Sequence, residues 1–309
     1  RQKFGILIAV KSFRASIVTN VLVYHCLESS VMIPMKNKQN NESEKYGLPH
    51  NRWEVFEDRM HTHWWKLLLC GLVLLAFSLP FFAVRLFADL SVLTLSQHLE
   101  VGKITEEQYK NTIYIINLAV PVFNIVSYLV FSVGVAGVMR QIRQLAWSQP
   151  TPFWQDFAVG VKQNVGAYLI VFALLGVLNA ANLAVVQFDI GFVSFVPLCI
   201  FILIILPVAL HALVQIAVYK HKFTSIFVNS ALVYFKTVPL SIVAALVATA
   251  YVWLDSFPSF VGRYVAKVVF VLILPVGILA WFLYVCSALD KYINAQNYPD
   301  LVDCGVWRT

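Results

Sequence analysis

The chain has 309 residues, 60% of them apolar and only 13% charged, about half the charged share of an ordinary soluble domain. Repeated apolar runs of roughly 20 residues, the length that spans a bilayer, exclude a single water-soluble core and predict an all-α polytopic membrane helical bundle. A net charge of +7 would suggest nucleic acid in a soluble protein. Here the basic residues gather at the ends of apolar runs, where they orient a membrane protein and meet anionic headgroups. The expected partner is the lipid bilayer, and nucleic acid is not expected.

Residues 1 to 34 carry two apolar patches, GILIAV and IVTNVLVYHCL, interrupted by Lys11 and Arg14. That order suits neither a span nor a cleavable signal peptide. The segment reads as an amphipathic surface helix or as a non-native or fragment extension. Residues 35 to 63 are polar and rich in helix breakers, a tail that leads into a short interfacial segment.

Six spans are predicted within a membrane domain at 64 to 290, at about 65–88, 112–138, 165–188, 192–219, 238–254 and 264–289. Trp64, Trp65 and Lys66 open the first at the headgroup level. Residues 89 to 111 are mixed in charge and read as a water-exposed hairpin of one or two short helices. After a break at Ser148 to Pro152, Phe153, Trp154, Phe157, Ala158 and Val161 recur at helical spacing opposite Gln155, Asp156, Lys162 and Gln163, which predicts an amphipathic helix lying in the interface. The connection KHKFTSIFVNSALVYFK before the fifth span again has one apolar helical face. Residues 291 to 309 form a polar tail.

With the amino terminus inside, Arg52, Arg59, Lys66, Arg140, Arg143, Lys162, Lys220, Lys222, Lys236, Lys291 and Arg308 fall on the inner side. Arg85, Lys103, Lys110, Arg263 and Lys267 fall on the outer side. Eleven against five places both termini in the cytoplasm. RQLA at 143 and VQIA at 214 hint at a parallel repeat of span, interfacial helix and span.

Polar residues inside spans mark pathways when they converge and hold bundles together when they do not. Asn117 and Asn124 share a face of the second span, Asn179 and Asn182 lie three apart in the third, and His211 and Gln215 lie four apart in the fourth. These six are the candidate lining of a polar cavity, with interhelical hydrogen bonding as the alternative. The prolines Pro80, Pro121, Pro197, Pro207, Pro239 and Pro275 read equally as hinges or as static kinks.

No nucleophile elbow, Walker A, HExxH or dinucleotide fingerprint is present, so no catalytic residue is assigned and no enzyme is expected. The five cysteines, Cys26, Cys70, Cys199, Cys286 and Cys304, are scattered without a CxxC pair. His61 and His63 lack further ligands at fixed spacing. No metal site and no cofactor are expected.

The stretch from Val133 through Asn164 resembles the signature of the YesL-like family of bacterial integral membrane proteins, which is defined by a domain of unknown function. Its parts are Gly134 and Gly137 at a span end, the basic pair Arg140 and Arg143, the turn at Ser148 to Pro150, the aromatic pair Phe153 and Trp154 with Asp156, and Lys162 to Asn164. The tail LDKYINAQNYPDL is similar to the family's ending, so the resemblance covers roughly 52 to 308. The chain departs from the family in its insertion at 89 to 111 and in Ser148-Gln149, where the family has an acidic residue after a glycine. A role for that acidic residue does not carry over.

The resemblance implies residence in the bacterial cytoplasmic membrane and an accessory or regulatory role in carbohydrate uptake, with sugar-transport permease components as partners. The physical reading adds a cytoplasmic docking face of Arg140, Arg143, Trp154, Asp156 and Lys162, with Asp156 and Lys162 presented to water. The alternative is a small-solute transporter in its own right.

Overall fold

A computed structural model describes residues 49–149, 152–187, 191–219 and 222–306. The readings of residues 1 to 34 and of the polar stretch up to Leu48 lie outside the described residues. Eight helices carry the described chain: α1 (Arg52–Thr62), α2 (Trp64–Glu100), α3 (Glu106–Ala146), α4 (Phe153–Gln187), α5 (Gly191–Val218), α6 (Phe223–Lys236), α7 (Val238–Trp253) and α8 (Phe260–Leu289). Six of them, all but α1 and α6, are long and apolar enough to cross a membrane.

The packing is that of a bundle in lipid. Large apolar side chains such as Phe123, Phe192, Val247 and Ile273 stand exposed on the flanks, while Ser127, Ser132, Gln141, His211, Gln215 and Ser241 are buried. Small residues let backbones approach. A Cβ added at Gly71 of α2 would lie 2.4 Å from the Leu272 carbonyl oxygen of α8, and one at Gly160 of α4 would lie 3.0 Å from the Ala136 carbonyl oxygen of α3. The fold therefore defines an all-α polytopic membrane protein.

Several elements depart from the sequence reading. Residues 89 to 111 are not a separate hairpin of short helices, because α2 runs on to Glu100 and α3 begins at Glu106. At 37 and 41 residues these helices are about 55 and 60 Å long, well beyond the ~30 Å hydrocarbon core. Thr105 and Gln108 form a reciprocal capping box that starts α3, satisfying two backbone donors at once.

Residues 153 to 164 are likewise not a separate interfacial helix, since they are the first turns of the continuous α4. The second amphipathic connection does form its own helix, α6. The two proposed repeat units thus differ: one is span, turn, span, and the other is span, short helix, span.

Helix α5 begins as a 3-10 turn at Gly191–Phe195 and contains a π turn at Phe201–Ile205. Pro207 follows that turn, and proline has no N–H to give the carbonyl four residues back. That carbonyl belongs to Leu203, and it accepts a hydrogen bond from the Tyr234 hydroxyl of α6 at 2.5 Å. Since α6 starts only a few residues after Val218, this bond shows that it runs back along α5.

The tail is also structured. Helix α8 continues through a π turn at Asp290–Asn294 as far as Asn297, and the following residues fold back onto α3. Gly305 has φ +85, and a Cβ there would lie 2.1 Å from the Ala146 carbonyl oxygen. Arg52 of α1 reaches Asp290 at 2.6 Å and the Cys304 carbonyl at 2.7 Å. The two ends of the described chain therefore meet at one end of the bundle, termed the terminal end. The α2–α3 and α7–α8 turns form the opposite, hairpin end.

Candidate functional site

The six polar residues predicted to line one cavity are not gathered on the walls of the cleft at the hairpin end. That cleft, of about 730 Å³, is bounded by α2, α3, α4 and α8, and Asn117 is the only one of the six on its walls. Asn117 is exposed, Asn124 and Asn179 are half-buried, and Asn182 is 7% exposed.

His211 and Gln215 share a face of α5, as their spacing predicts, and both are fully buried. His211 Nε2 lies 2.9 Å from Ser241 Oγ and 3.2 Å from Thr237 Oγ1. The ring packs against Trp281 with centroids 4.9 Å apart. Thr237 is where α6 ends and α7 begins, so the histidine fastens α5 to that joint. His211 Nδ1 and both amide atoms of Gln215 have no hydrogen-bond partner among the described residues.

A charge cluster that sequence reading missed lies beside the cleft. Arg85 Nε is 3.2 Å from Asp89 and 3.4 Å from Asp255, Arg263 is 3.7 Å from Asp89, and Lys267 is 2.6 Å from Asp255. The Tyr264 hydroxyl donates to Asp89 at 3.2 Å. Lys267 is only 2% exposed and its ammonium stands 4.8 Å from the Tyr251 ring centre, so a cation–π contact adds to its ion pair. Arg85, Asp89 and Arg263 line the cleft with Ser96, Asn117 and Gln187, against apolar walls that include Val92, Leu93, Ile116 and Val120. The spacing of Arg85 and Asp89 at i and i+4 was the available signal for one pair. The partners in the α7–α8 turn and α8 are far off in sequence and carried none.

The predicted docking face is divided. Arg140 holds Asp156 at 3.4 Å and Gln163 at 2.8 Å. Asp156 is 5% exposed and so is not presented to water. Arg143 donates to the Ala217 carbonyl at 2.6 Å and lies 5.1 Å from the Trp147 ring centre. These three groups bind α3, α4 and α5 to one another. Trp154, 64% exposed but in edge contact with Phe153 and Phe157, and Lys162 stand at the surface.

Nearby, His63 sits between α1 and α2, and partial burial together with Lys66 and Arg59 holds its pKa below the ordinary histidine value. No group of three or more His, Cys, Asp or Glu side chains arranged to hold a metal occurs among the described residues.

In comparisons with known proteins, no family model matches the chain, and neither a curated protein nor a solved structure matches it significantly. The YesL-like resemblance rests on the residues quoted for it.

Proposed function

We propose that this protein acts by association in the bacterial cytoplasmic membrane, as a non-enzymatic accessory or regulatory subunit of a carbohydrate uptake system, with both termini in the cytoplasm. The observation that carries the choice over a carrier is that, of Asn117, Asn124, Asn179, Asn182, His211 and Gln215, only Asn117 lines the cleft. A carrier built on those residues needs them around one cavity. The carbohydrate link is supplied by the family resemblance. At the terminal end, the exposed Trp154 offers an aromatic anchor of the kind enriched at interface hot spots, with the exposed Lys162 two turns further along α4.

The test is a photoreactive amino acid at the exposed position 158, one helical turn from both Trp154 and Lys162, crosslinked in native membranes, with sugar uptake measured in cells. A crosslink to a sugar-transport permease component, lost together with uptake in a W154A/K162E variant, supports the proposal. Sugar flux through the purified protein alone in liposomes overturns it. The second reading, a small-solute carrier, draws on one feature: the unpartnered polar atoms of His211 and Gln215 in the bundle core.

A further inference from the structure

The hairpin-end cleft joins a cationic floor to apolar walls, and its charges do not balance. Among the described residues, three cations, Arg85, Arg263 and Lys267, share two carboxylates, Asp89 and Asp255. The aligned hydrogen bonds to those carboxylates are not made by the arginines: Lys267 donates to Asp255 at 2.6 Å and the Tyr264 hydroxyl to Asp89 at 3.2 Å. Arg263 reaches Asp89 only at 3.7 Å, beyond hydrogen-bond range. Arg85 approaches both carboxylates through Nε, yet that atom, like Arg263 Nε, has no hydrogen-bond partner among the described residues. Both arginines stand on the cleft wall, and a guanidinium carries five N–H donors in a fixed fork suited to an oxyanion. One negative charge delivered there restores the balance.

The depth of the arginines says from which side that charge comes. Residues 67 to 84 of α2 carry no charged side chain, a run of about 27 Å that nearly fills the ~30 Å hydrocarbon core. Arg85 therefore stands where the core ends. From there the cleft continues toward the α2–α3 turn, past Val92 and Ser96 on α2 and Val120 and Asn117 on α3, and the stretch from Arg85 to Ser96 alone covers about 16 Å. These walls lie beyond the hydrocarbon, so the cleft opens to water. Leu93, 55% exposed, and Phe260, 43% exposed, line it and gain from an apolar cover that lipid does not supply.

We infer that the cleft binds a water-borne organic acid carrying one negative charge, with its carboxylate at Arg85 and Arg263 and its apolar body lying toward the α2–α3 turn between Val92 and Val120. About 730 Å³ is within the ~300–1,000 Å³ typical of sites for ligands of many atoms, more than a lone inorganic ion needs. A phosphate monoester brings nearly two charges, where three cations against two carboxylates leave one to be met. Ser96, Asn117 and Gln187, also on the walls, supply polar contacts for substituents on the body. The site is independent of the accessory role proposed above.

The experiment is the binding of tritiated 4-phenylbutyrate to the full chain in phosphatidylcholine nanodiscs, with empty nanodiscs as background. Saturable binding is expected, unchanged when phosphatidylglycerol is added to the nanodiscs. Unlabelled 4-phenylbutyrate is expected to displace it about tenfold more strongly than acetate, which lacks the body, 4-phenylbutanol, which lacks the charge, or 4-phenylbutyl phosphate, which doubles it. R263Q is expected to lower the affinity about tenfold or more, equivalent to ~1.4 kcal/mol. V120W, which fills the cleft without touching a charge, is expected to abolish binding and so serves if R263Q does not fold. Absence of saturable binding, equal displacement by any of the three analogues, competition by phosphatidylglycerol, or full binding by V120W each overturns the inference.

Discussion

The hydroxyl of Tyr234 donates to the Leu203 carbonyl at 2.5 Å, and Leu203 is the residue whose helical donor is lost to Pro207. A break in the α5 hydrogen-bond ladder is thereby repaired by the neighbouring helix, as apolar surroundings require. Y234F leaves the carbonyl unsatisfied and is expected to cost about 1–3 kcal/mol of stability, read as reduced resistance to unfolding in mixed detergent micelles. In a P207A background the helix regains its own donor, and the same Y234F change is expected to cost markedly less. Equal costs in the two backgrounds would show that the bond does not answer to the proline.

The spans were legible because an apolar run has to match the bilayer: the fifth, expected at 238–254, is a helix over Val238–Trp253. The ends of the long helices were not. Residues 89 to 100 and 153 to 164 change from apolar to mixed composition, and composition reports the surroundings of a helix rather than where it stops. Thr105 with Gln108 was a readable start signal for α3. The long-range ion pairs were invisible, because Arg85 does not encode that Asp255 lies beside it. Asp156 was misplaced for a related reason: a charged residue opposite an apolar helical face reads as solvated, and only the fold reveals that Arg140 covers it.

Gly71 and Gly166 give a paired test of close packing. A Cβ at Gly71 meets the Leu272 backbone at 2.4 Å, whereas one at Gly166 meets nothing within 4 Å. G71A must push α2 and α8 apart and is expected to destabilise by about 1–3 kcal/mol. G166A is expected to be neutral or to stabilise by up to ~1 kcal/mol, the cost of glycine inside a helix. Thermal midpoints of the two variants in one detergent check the contrast, and a similar loss in both would contradict this contact.

Cys304 reports on the latch between α1 and the tail. Burial pushes its thiol above the ordinary value, with Arg52 opposing and Asp290 reinforcing the shift. At pH 8 a smaller share is thiolate than in a free cysteine, and the thiolate is the reactive form. Alkylation of Cys304 is expected to be slow at pH 8 and to keep accelerating above the pH where an exposed thiol levels off. R52A removes the bond to the Cys304 carbonyl and the ion pair with Asp290. Loss of the cation alone would raise the thiol pKa further and slow the reaction, so faster alkylation in R52A signals release of the tail. Mass spectrometry of the tail peptide over a time course measures both, and a slower rate in R52A would mean that the tail stays docked without the latch.

Lys267 and Asp255 are unequal members of one pair, since the lysine side chain is 3% exposed and the aspartate 29%. D255N leaves a buried ammonium with no anionic partner, only an amide oxygen and the Tyr251 ring, and an uncompensated buried charge costs about 3–5 kcal/mol. K267M removes the buried charge and keeps an apolar stem of similar length. It leaves behind an aspartate that water and Arg85, at 3.4 Å, can still stabilise. The loss of stability is therefore expected to be larger for D255N than for K267M, and the double variant is expected to recover most of what D255N loses. Such recovery is the sign of direct coupling in a double-mutant cycle. Thermal unfolding of the three purified variants provides the measurement; additive losses in the double variant would place the burden of Asp255 on Arg85 instead of Lys267.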